Sequence, residues 1–254
     1  MDSPRDRYIP VPGRKPALEA LENDSVDVAK VLISRSAKGD GIGDIIHAAE
    51  VRKIAVERVN EHHITAVAGS SRHHQGVVVD VVAPRMGSLS AFLETRRRGR
   101  EFATQLVLLD QVHNPANVGM ILRSVVAADL DGVIVPDAGT ASIGPVVIKA
   151  SAGVAFKAPI LRVATTADAL AELEAERFEV VALDTGGEDL FTADLPDRVV
   201  YVLGNETDGV SEQAAAAVTR TVSLPLANGV ESLNVAATAS ILAYELVRRR
   251  TAAD

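Results

Sequence analysis

The sequence predicts an α/β protein in which a small α/β module precedes a parallel sheet covered by helices on both faces. The main observation is that six apolar runs in the second part of the chain are separated by helical patterns. A second is that 47% of the residues are hydrophobic but only 3% are aromatic, which predicts an aliphatic core. The chain has 254 residues and no cysteine, so it must fold on that core without disulfides or thiolate metal sites.

The first module contains four segments with clear patterns. A short helix is predicted over Ala17–Leu21, a strand over Asp27–Ser34 and a helix over Ile42–Val51. The almost continuous run of valines in Gln75–Val82 predicts a further strand, because β-branched residues favour the pleated conformation.

The second part alternates between strands and helices. The predicted strands are Leu106–Leu109, Val133–Val135, Ile160–Val163, Val180–Leu183, Val199–Leu203 and Val222–Leu226. Amphipathic patterns predict helices over Met120–Leu130, Asp168–Arg177, Ser211–Val218 and Ser232–Arg250. Arginines at the end of the last helix suit the negative end of the helix dipole.

Charge divides the chain near residue 100. The formal net charge is −8, which excludes a uniformly basic nucleic-acid coat, but residues 1–100 carry +3 and residues 101–254 carry −11. We therefore expect an N-terminal domain over 1–84, a linker over 85–103 and a second domain over 104–254. The basic run Arg96–Arg100 either contacts phosphate or only solvates this linker. Neither a signal-peptide core nor an apolar run of membrane-spanning length is present, which predicts a soluble cytoplasmic protein.

Three polar loops follow predicted strands, where a parallel sheet binds its ligands. They cover residues 113–119, 203–209 and 224–234. In the first loop, Asn117 is expected to cap the next helix and Gly119 to let a partner approach the backbone. Each loop alone could be an ordinary capping turn, but three at one edge predict a common site. Neither a dinucleotide fingerprint nor a phosphate-binding P-loop is present.

The motifs in these loops resemble those of the SpoU/TrmH branch of the SPOUT RNA methyltransferases. They are Asn117-x-Gly119-xxx-Arg123, Gly204-x-Glu206-xx-Gly209, and Pro225 through Ser232-Leu233-Asn234-Val235. The resemblance covers residues 106–247. Residues 13–82 look like the small, ribosomal-protein-like substrate-binding domain found ahead of the catalytic domain in ribosomal-RNA members. One departure is that Asn228 stands where the family usually has glycine.

The resemblance implies a fold, a reaction and a substrate. The second domain would be a SPOUT domain with a deep trefoil knot, and the enzyme would transfer a methyl group from S-adenosylmethionine to a ribose 2′-hydroxyl. The N-terminal module favours 23S rRNA, with guanosine the commonest target base among similar enzymes. Alternatives are a 2′-O-methyltransferase acting on tRNA or conferring antibiotic resistance through rRNA, and a noncatalytic RNA-binding protein that retains the fold.

The same resemblance implies which residues form the site. Those expected to act in catalysis are Arg123, Asn117, Glu206, Ser232 and Asn234. Those expected to surround the cofactor are Thr185, Gly204, Leu224, Leu233 and Asn234. Because arginine rarely releases its proton, our hypothesis is that Arg123 orients the ribose and a phosphate through its planar fork.

Two further expectations concern partners. The resemblance implies a homodimer, and the alanines of the last helix offer either a dimer face or a packing face within one subunit; they are Ala236, Ala237, Ala239 and Ala243. The histidine pairs 62–63 and 73–74 lack the spacing of a metal motif, so no metal is expected. The lack of an apolar run of membrane-spanning length predicts that the protein has no membrane partner.

Overall fold

The computed structural model describes residues 7–24, 26–69, 74–97, 103–205 and 208–253, which form two sheets. The first is a four-stranded mixed sheet in the N-terminal part of the chain, and the second is a seven-stranded sheet. The α/β class predicted from the sequence is confirmed.

The N-terminal sheet has the strand order β1-β4-β2-β3. Its strands are β1 (Tyr8–Pro12), β2 (Val28–Ser34), β3 (Ala55–Val59) and β4 (Val77–Val82). Its helices are α1 (Arg14–Glu22), α2 (Ile42–Val51) and α3 (Glu61–Ala68). Strands β2 and β3 run parallel, whereas β4 pairs antiparallel with β1 and β2.

Three elements of the N-terminal module were not predicted from the sequence. Two of them are the edge strands of its sheet, and the third is a helix. Strand β1 contains two prolines, which an edge strand tolerates because one of its sides needs no backbone donors. Strand β3 has no buried residue, so its apolar pattern is weak. The third element, α3, begins at an Asn60 cap that accepts from the His63 amide at 2.8 Å.

The seven-stranded sheet is parallel at every adjacent pair, as the alternating pattern predicted. In spatial order its strands are β11 (Arg220–Ser223), β9 (Glu179–Asp189), β10 (Arg198–Leu203), β6 (Thr104–Leu109), β7 (Gly132–Pro136), β8 (Ile160–Val163) and β5 (Gly87–Ser88). All their carboxyl ends therefore meet at one edge, which is where the three polar loops begin.

Helices cover both faces of this sheet. They are α4 (Leu89–Arg97), α5 (Pro115–Ala127), α6 (Pro145–Ala150), α7 (Thr166–Ala175), α8 (Glu212–Ala217) and α9 (Val235–Ala253), with a 3-10 turn at Val154–Lys157. The central strand β6 shows how the layers form. Leu106 and Leu108 pack in the layer that holds α4 and α7, whereas Val107 and Leu109 pack in the layer that holds α5 and α9. None of the described helices has the length and apolar character needed to cross a bilayer.

The starts of α5 and α9, which lie beside the polar loops, differ from the prediction. Helix α5 begins at Pro115 rather than Met120, and Asn114, not Asn117, caps it by accepting from the Ala116 amide at 2.9 Å. Proline is favoured in the first helical turn, where its missing N–H costs nothing. Helix α9 begins at Val235 rather than Ser232, and the Asn234 side chain accepts from the Ala236 and Ala237 amides in its first turn.

The segment over which we expected a linker, 85–103, holds both β5 and α4. Strand β5 pairs with β8 at the edge of the seven-stranded sheet. Arg96 in α4 forms an ion pair with Asp131 and lies over the Phe92 ring at 5.3 Å. Its guanidinium is thus occupied within the chain, while residues 98–100 of the basic run lie outside the described residues.

A buried carboxylate fixes the end of α9. Glu245, whose side chain is 3% exposed, accepts from Arg248 Nε at 2.8 Å and from Arg249 Nε at 2.7 Å. Arg249 also donates to the carbonyls of Ala193 and Leu190, each at 2.6 Å. The hydrogen bond from Arg248, followed by that from Arg249, lowers the pKa of Glu245 below its ordinary value of 4.5.

This cluster predicts a pH-dependent contribution to stability. Because the folded state favours the ionised carboxylate, the contribution is present above pH 4.5 and disappears as the pH falls through the lowered pKa. We expect Glu245→Gln to lower the free energy of unfolding by about 2 kcal/mol at pH 7, with the deficit shrinking below pH 4.5, as measured by denaturant unfolding. Glu174→Gln, on the exposed face of α7, serves as the control and should change little. A deficit that stayed constant from pH 7 to pH 3 would contradict the assignment.

Candidate functional site

Four chain segments enclose a cavity of about 280 Å³ at the carboxyl edge of the seven-stranded sheet. They come from within β9, from the ends of β10 and β11, and from the approach to α9. The cavity is lined by Leu183, Asp184, Thr185, Leu203, Gly204, Asn205, Gly209, Val222, Ser223, Leu224, Leu226, Glu231, Ser232, Leu233, Val235 and Thr238. Its wall therefore combines aliphatic side chains, main-chain groups and the carboxylates of Asp184 and Glu231.

Strand β9 forms one lip of the cavity because it leaves its register with β11. Val181 and Ala182 pair with the start of β11, and the pairing resumes only at Glu188. The intervening residues bulge outward, and Thr185 donates its amide to Asp184 Oδ1 at 2.6 Å. A Cβ on Gly187 would lie 2.5 Å from the Thr221 carbonyl oxygen, so only glycine allows the bulge to close.

The loop after β10 closes on itself. The Asn205 amide donates to the Gly209 carbonyl at 2.8 Å, and the Gly209 amide donates back at 2.9 Å. A Cβ on Gly204 would lie 2.3 Å from two backbone atoms of Gly209, which leaves room for no side chain. The predicted catalytic residue Glu206 belongs to this loop but lies outside the described residues.

The loop after β11 supplies the opposite wall through Leu224, Leu226 and Leu233. This loop holds Asn228 at the position where the SpoU/TrmH motif usually has glycine. Asn228 adopts φ +58°, the left-handed conformation for which glycine is favoured and which asparagine tolerates best among other residues. The turn therefore keeps a left-handed residue at the usual glycine position, and Gly229 continues it at φ +73°.

The N-termini of α5 and α9 are joined by a pair of asparagines. Asn234 Nδ2 donates to Asn117 Oδ1 at 3.2 Å, while Asn234 Oδ1 accepts from the Ala236 amide at 3.0 Å. Asn117 is buried, so its role is to hold the two helices together rather than to cap α5. The residues are 117 positions apart, and only the folded sheet brings them together.

Helix α5 presents Arg123 to solvent. Among the residues that the structure describes, its guanidinium has no hydrogen-bond or ion-pair partner. Gly119 lies one turn earlier and packs against α6, where a Cβ would be 2.5 Å from the Val147 carbonyl oxygen. The close approach expected at Gly119 is thus made by a neighbouring helix of the same chain.

A buried carboxylate that the sequence analysis missed supports this edge. Asp110, at the end of β6, accepts from Thr166 Oγ1 at 3.0 Å and from the Ser211 amide at 2.6 Å. It fixes the N-termini of α7 and α8, and α8 begins directly after the loop that contains Gly204. The signal available in the sequence was an aspartate directly after an apolar strand.

The predicted site residues fall into three groups. Thr185, Gly204, Leu224, Ser232 and Leu233 line the cavity. Asn234 and Asn117 are bonded to each other beside it, and Arg123 lies on the exposed side of α5 without lining the cavity. Across the described part of the chain, no group of three or more histidine, aspartate or glutamate side chains is arranged to hold a metal ion; His73 lies outside that part.

Comparison with known proteins gives consistent matches along the chain. Residues 104–244 match the SpoU rRNA Methylase family, and residues 10–87 match the domain described as RNA 2′-O ribose methyltransferase substrate binding. The 23S rRNA (guanosine-2′-O-)-methyltransferase RlmB of Xanthomonas campestris pv. campestris is 32% identical over 235 residues, covering 92% of this chain and 94% of its own.

Solved structures agree with these matches. The AdoMet-bound rRNA methyltransferase from Sinorhizobium meliloti is 25% identical, with a TM-score of 0.63 over 97% of this chain and 88% of its own. The TrmH/SpoU tRNA modifying enzyme of A. aeolicus is also 25% identical, with a TM-score of 0.52, and covers 63% of this chain and 84% of its own.

The close backbone contact at Gly204 yields a prediction. Gly204→Ala should lower the free energy of unfolding by about 3 kcal/mol, because the added methyl must displace the Gly209 backbone rather than a flexible side chain. The measurement is thermal or denaturant unfolding. Gly43→Ala is the matched control, because its added Cβ meets no atom within 4 Å and alanine favours the helix around it. Equal stability of the two variants would refute the close contact.

Proposed function

Because the chain belongs to the SpoU rRNA methylase family and is an S-adenosylmethionine-dependent rRNA 2′-O-ribose methyltransferase, we propose that its target is a guanosine of 23S rRNA. That substrate is named in the descriptions of several relatives, which share about a third of their residues with this chain along nearly its whole length. The observation that carries the proposal at the level of structure is that the second and third motif loops line one cavity, while Asn117 of the first is bonded to Asn234 of the third beside it.

The cavity suits the cofactor on chemical grounds. Its aliphatic walls can enclose an adenine ring, and its main-chain N–H and C=O groups can bind polar edges without a charged fingerprint. Asp184 and Glu231 also line the cavity, and their carboxylates would attract the sulfonium and ammonium groups of this cofactor. Thr185, Gly204, Leu224 and Leu233 would line the bound cofactor, with Asn234 fixing the adjoining helix start. The cofactor supplies a methyl group on positively charged sulfur, which leaves as a neutral thioether.

The residues of the chain then have to position the ribose and lower the cost of removing its proton. Arg123 would hold the ribose and a neighbouring phosphate through two parallel hydrogen bonds, which favours the developing negative charge on the 2′-oxygen. Its lack of a partner among the described residues leaves both edges of the fork available. Ser232 and Asn234 would orient the ribose or the cofactor, Asn117 would hold Asn234, and Glu206 would bind main-chain groups or Arg123.

The remaining parts of the proposal concern architecture. The N-terminal segment 1–84 would bind the RNA, with 85–103 connecting it to the catalytic segment 104–254. The C-terminal segment would form a trefoil knot around the cofactor, as the resemblance to the SPOUT methyltransferases implies. A cytoplasmic location follows from a ribosomal substrate.

The experiment that tests the substrate uses methyl-labelled S-adenosylmethionine with deproteinised 23S rRNA, 16S rRNA and tRNA that lack 2′-O-methylation. We expect label in one 2′-O-methylguanosine of 23S rRNA, located by fragmentation and mass spectrometry. Label in tRNA alone would replace the ribosomal substrate with the one named for the A. aeolicus enzyme. Cofactor binding without any methylation would favour a noncatalytic RNA-binding protein.

The proposed role of Arg123 predicts the effect of a conservative change. Arg123→Lys keeps the charge but removes the planar fork, so we expect kcat/KM for RNA to fall about 100-fold, with unchanged cofactor affinity by calorimetry. Arg177→Lys is the control, since Arg177 is also exposed and without a described side-chain partner. Turnover near that of the unmodified enzyme in a folded Arg123→Lys protein would rule out the bidentate role.

We also propose a homodimer, although most of the α9 alanines take the other role left open for them, packing within one subunit. Ala236, Ala239 and Ala243 are buried within the subunit, whereas Ala237 is exposed. The exposed apolar side chains on the neighbouring helices α5 and α9 are Met120, at 40%, and Tyr244, at 56%. A second copy of the chain would cover them and complete the site.

Sedimentation tests the dimer directly. We expect twice the mass of one chain at micromolar concentration, and a shift toward the monomer in Tyr244→Glu, because the change places a charge in an apolar contact. Glu174→Gln should sediment like the unmodified protein. A monomer at micromolar concentration in the unmodified chain would refute the proposal.

A further inference from the structure

A second, larger cavity lies between the N-terminal module and the catalytic part of the chain. It measures about 630 Å³ and is lined on one side by α1 and on the other by α6 and the 3-10 turn after it. We call it the interdomain cleft. Its apolar wall includes Ile148 and Phe156, and its polar side chains include Lys15, Lys149 and Lys157. No motif or site residue discussed so far belongs to it.

The lysines of the cleft matter because few positive charges in the acidic catalytic part are free. Residues 101–254 contain ten lysines and arginines. Six of them bind carboxylates or backbone carbonyls within the chain; these are Arg162, Arg198, Arg220, Arg248, Arg249 and Arg250. The four whose side chains have no hydrogen-bond or ion-pair partner in the described structure are Arg123, Lys149, Lys157 and Arg177. Two of these four unpaired positive charges, Lys149 and Lys157, therefore line the interdomain cleft.

The cleft is also connected to the proposed reaction centre through α6. One side of this helix receives α5 at Gly119, one turn before Arg123, through contacts with Val147 and Ala150. Ile148 and Lys149 of the same short helix line the cleft. The free charges of Arg123 and Lys149 thus lie on two packed helices, with Lys157 on the 3-10 turn that follows.

The composition of the cleft indicates what it binds. Phosphates and lysine side chains attract each other, and the apolar wall can hold a base that has left its stack. Glu19 is the carboxylate that opposes them, and it already faces Lys15 at 3.9 Å. A volume within the usual range for small-ligand sites is large enough to hold a nucleotide.

We propose that the interdomain cleft binds the RNA strand next to the methylated nucleotide, with its phosphates at Lys149 and Lys157 and one base against Ile148 and Phe156. This inference rests on the proposed function, since it requires an RNA substrate at Arg123. It gives the acidic catalytic part its own contact with RNA and places the strand between the two domains.

The test compares Lys149→Gln/Lys157→Gln with Arg177→Gln, which removes a free charge of the same part outside the cleft. Binding of unmodified 23S rRNA transcript is measured by filter retention across a range of salt concentrations. We expect the double variant to bind about 100-fold more weakly and the slope of log K against log salt to fall by about 2, whereas Arg177→Gln behaves as the unmodified enzyme does. S-adenosylmethionine affinity should be equal in all three proteins.

Kinetics and crosslinking separate this inference from the proposed function. The double variant should show a raised KM for RNA with nearly unchanged kcat, and 4-thiouridine beside the target should crosslink to residues 145–157. If the unmodified enzyme methylates RNA but the double variant matches it in affinity, salt slope and KM, the cleft does not bind RNA. If the unmodified enzyme neither binds nor methylates RNA, the proposed function itself fails.

Discussion

The site depends on backbone segments that pass each other with no side chain between them. At Gly187 and Gly119, an added Cβ would lie 2.5 Å from a backbone atom of another segment, and at Gly204 it would lie 2.3 Å from the Gly209 backbone across the same loop. Neighbouring loops could not reach these distances around any larger residue. The cavity beside them is lined by aliphatic side chains together with residues of these loops, whose positions are set by the parallel sheet. The glycines allow the backbone around the cavity to pack closely, and this backbone holds the side chains that line the cavity.

Buried polar groups keep that frame in place. Asp110 binds the starts of two helices, Asn117 binds Asn234, and Glu245 binds two arginines near the end of α9. Each is satisfied by partners from its surroundings, which avoids the cost of an unpaired buried group. Internal pairing also limits the positive charge available to a ligand, because most arginines of the catalytic part bind carboxylates or carbonyls of the chain. Few of them remain to bind an external anion.

The sequence was sufficient for the class of fold, six of the seven parallel strands and two of the loops that line the cavity. These depend on local apolar patterns and on the rule that ligands bind at the carboxyl ends of strands. It could not give the capping role of Asn114, which competes with Asn117 for the same helix start, nor the strand β3, whose residues are hardly buried. The bulge within β9 was equally hidden, because its register depends on β11, which follows some thirty residues later. The Asn117 and Asn234 side chains were individually predicted, but their contact is a property of the assembled sheet.

The contacts between α5 and α9 have a kinetic consequence. Ser124 bonds Ser240 across 116 positions, Asn117 bonds Asn234 across 117, and Arg250 binds the Ala128 carbonyl across 122. Closing such long segments carries a large entropic cost before any contact forms, and chains dominated by distant contacts fold slowly. Strands β6 and β10, which pair Thr104 with Arg198, also close a long segment, so the sheet and the last helix both depend on such pairings. The cavity is enclosed by four such segments, so it can form only after distant parts of the chain have come together.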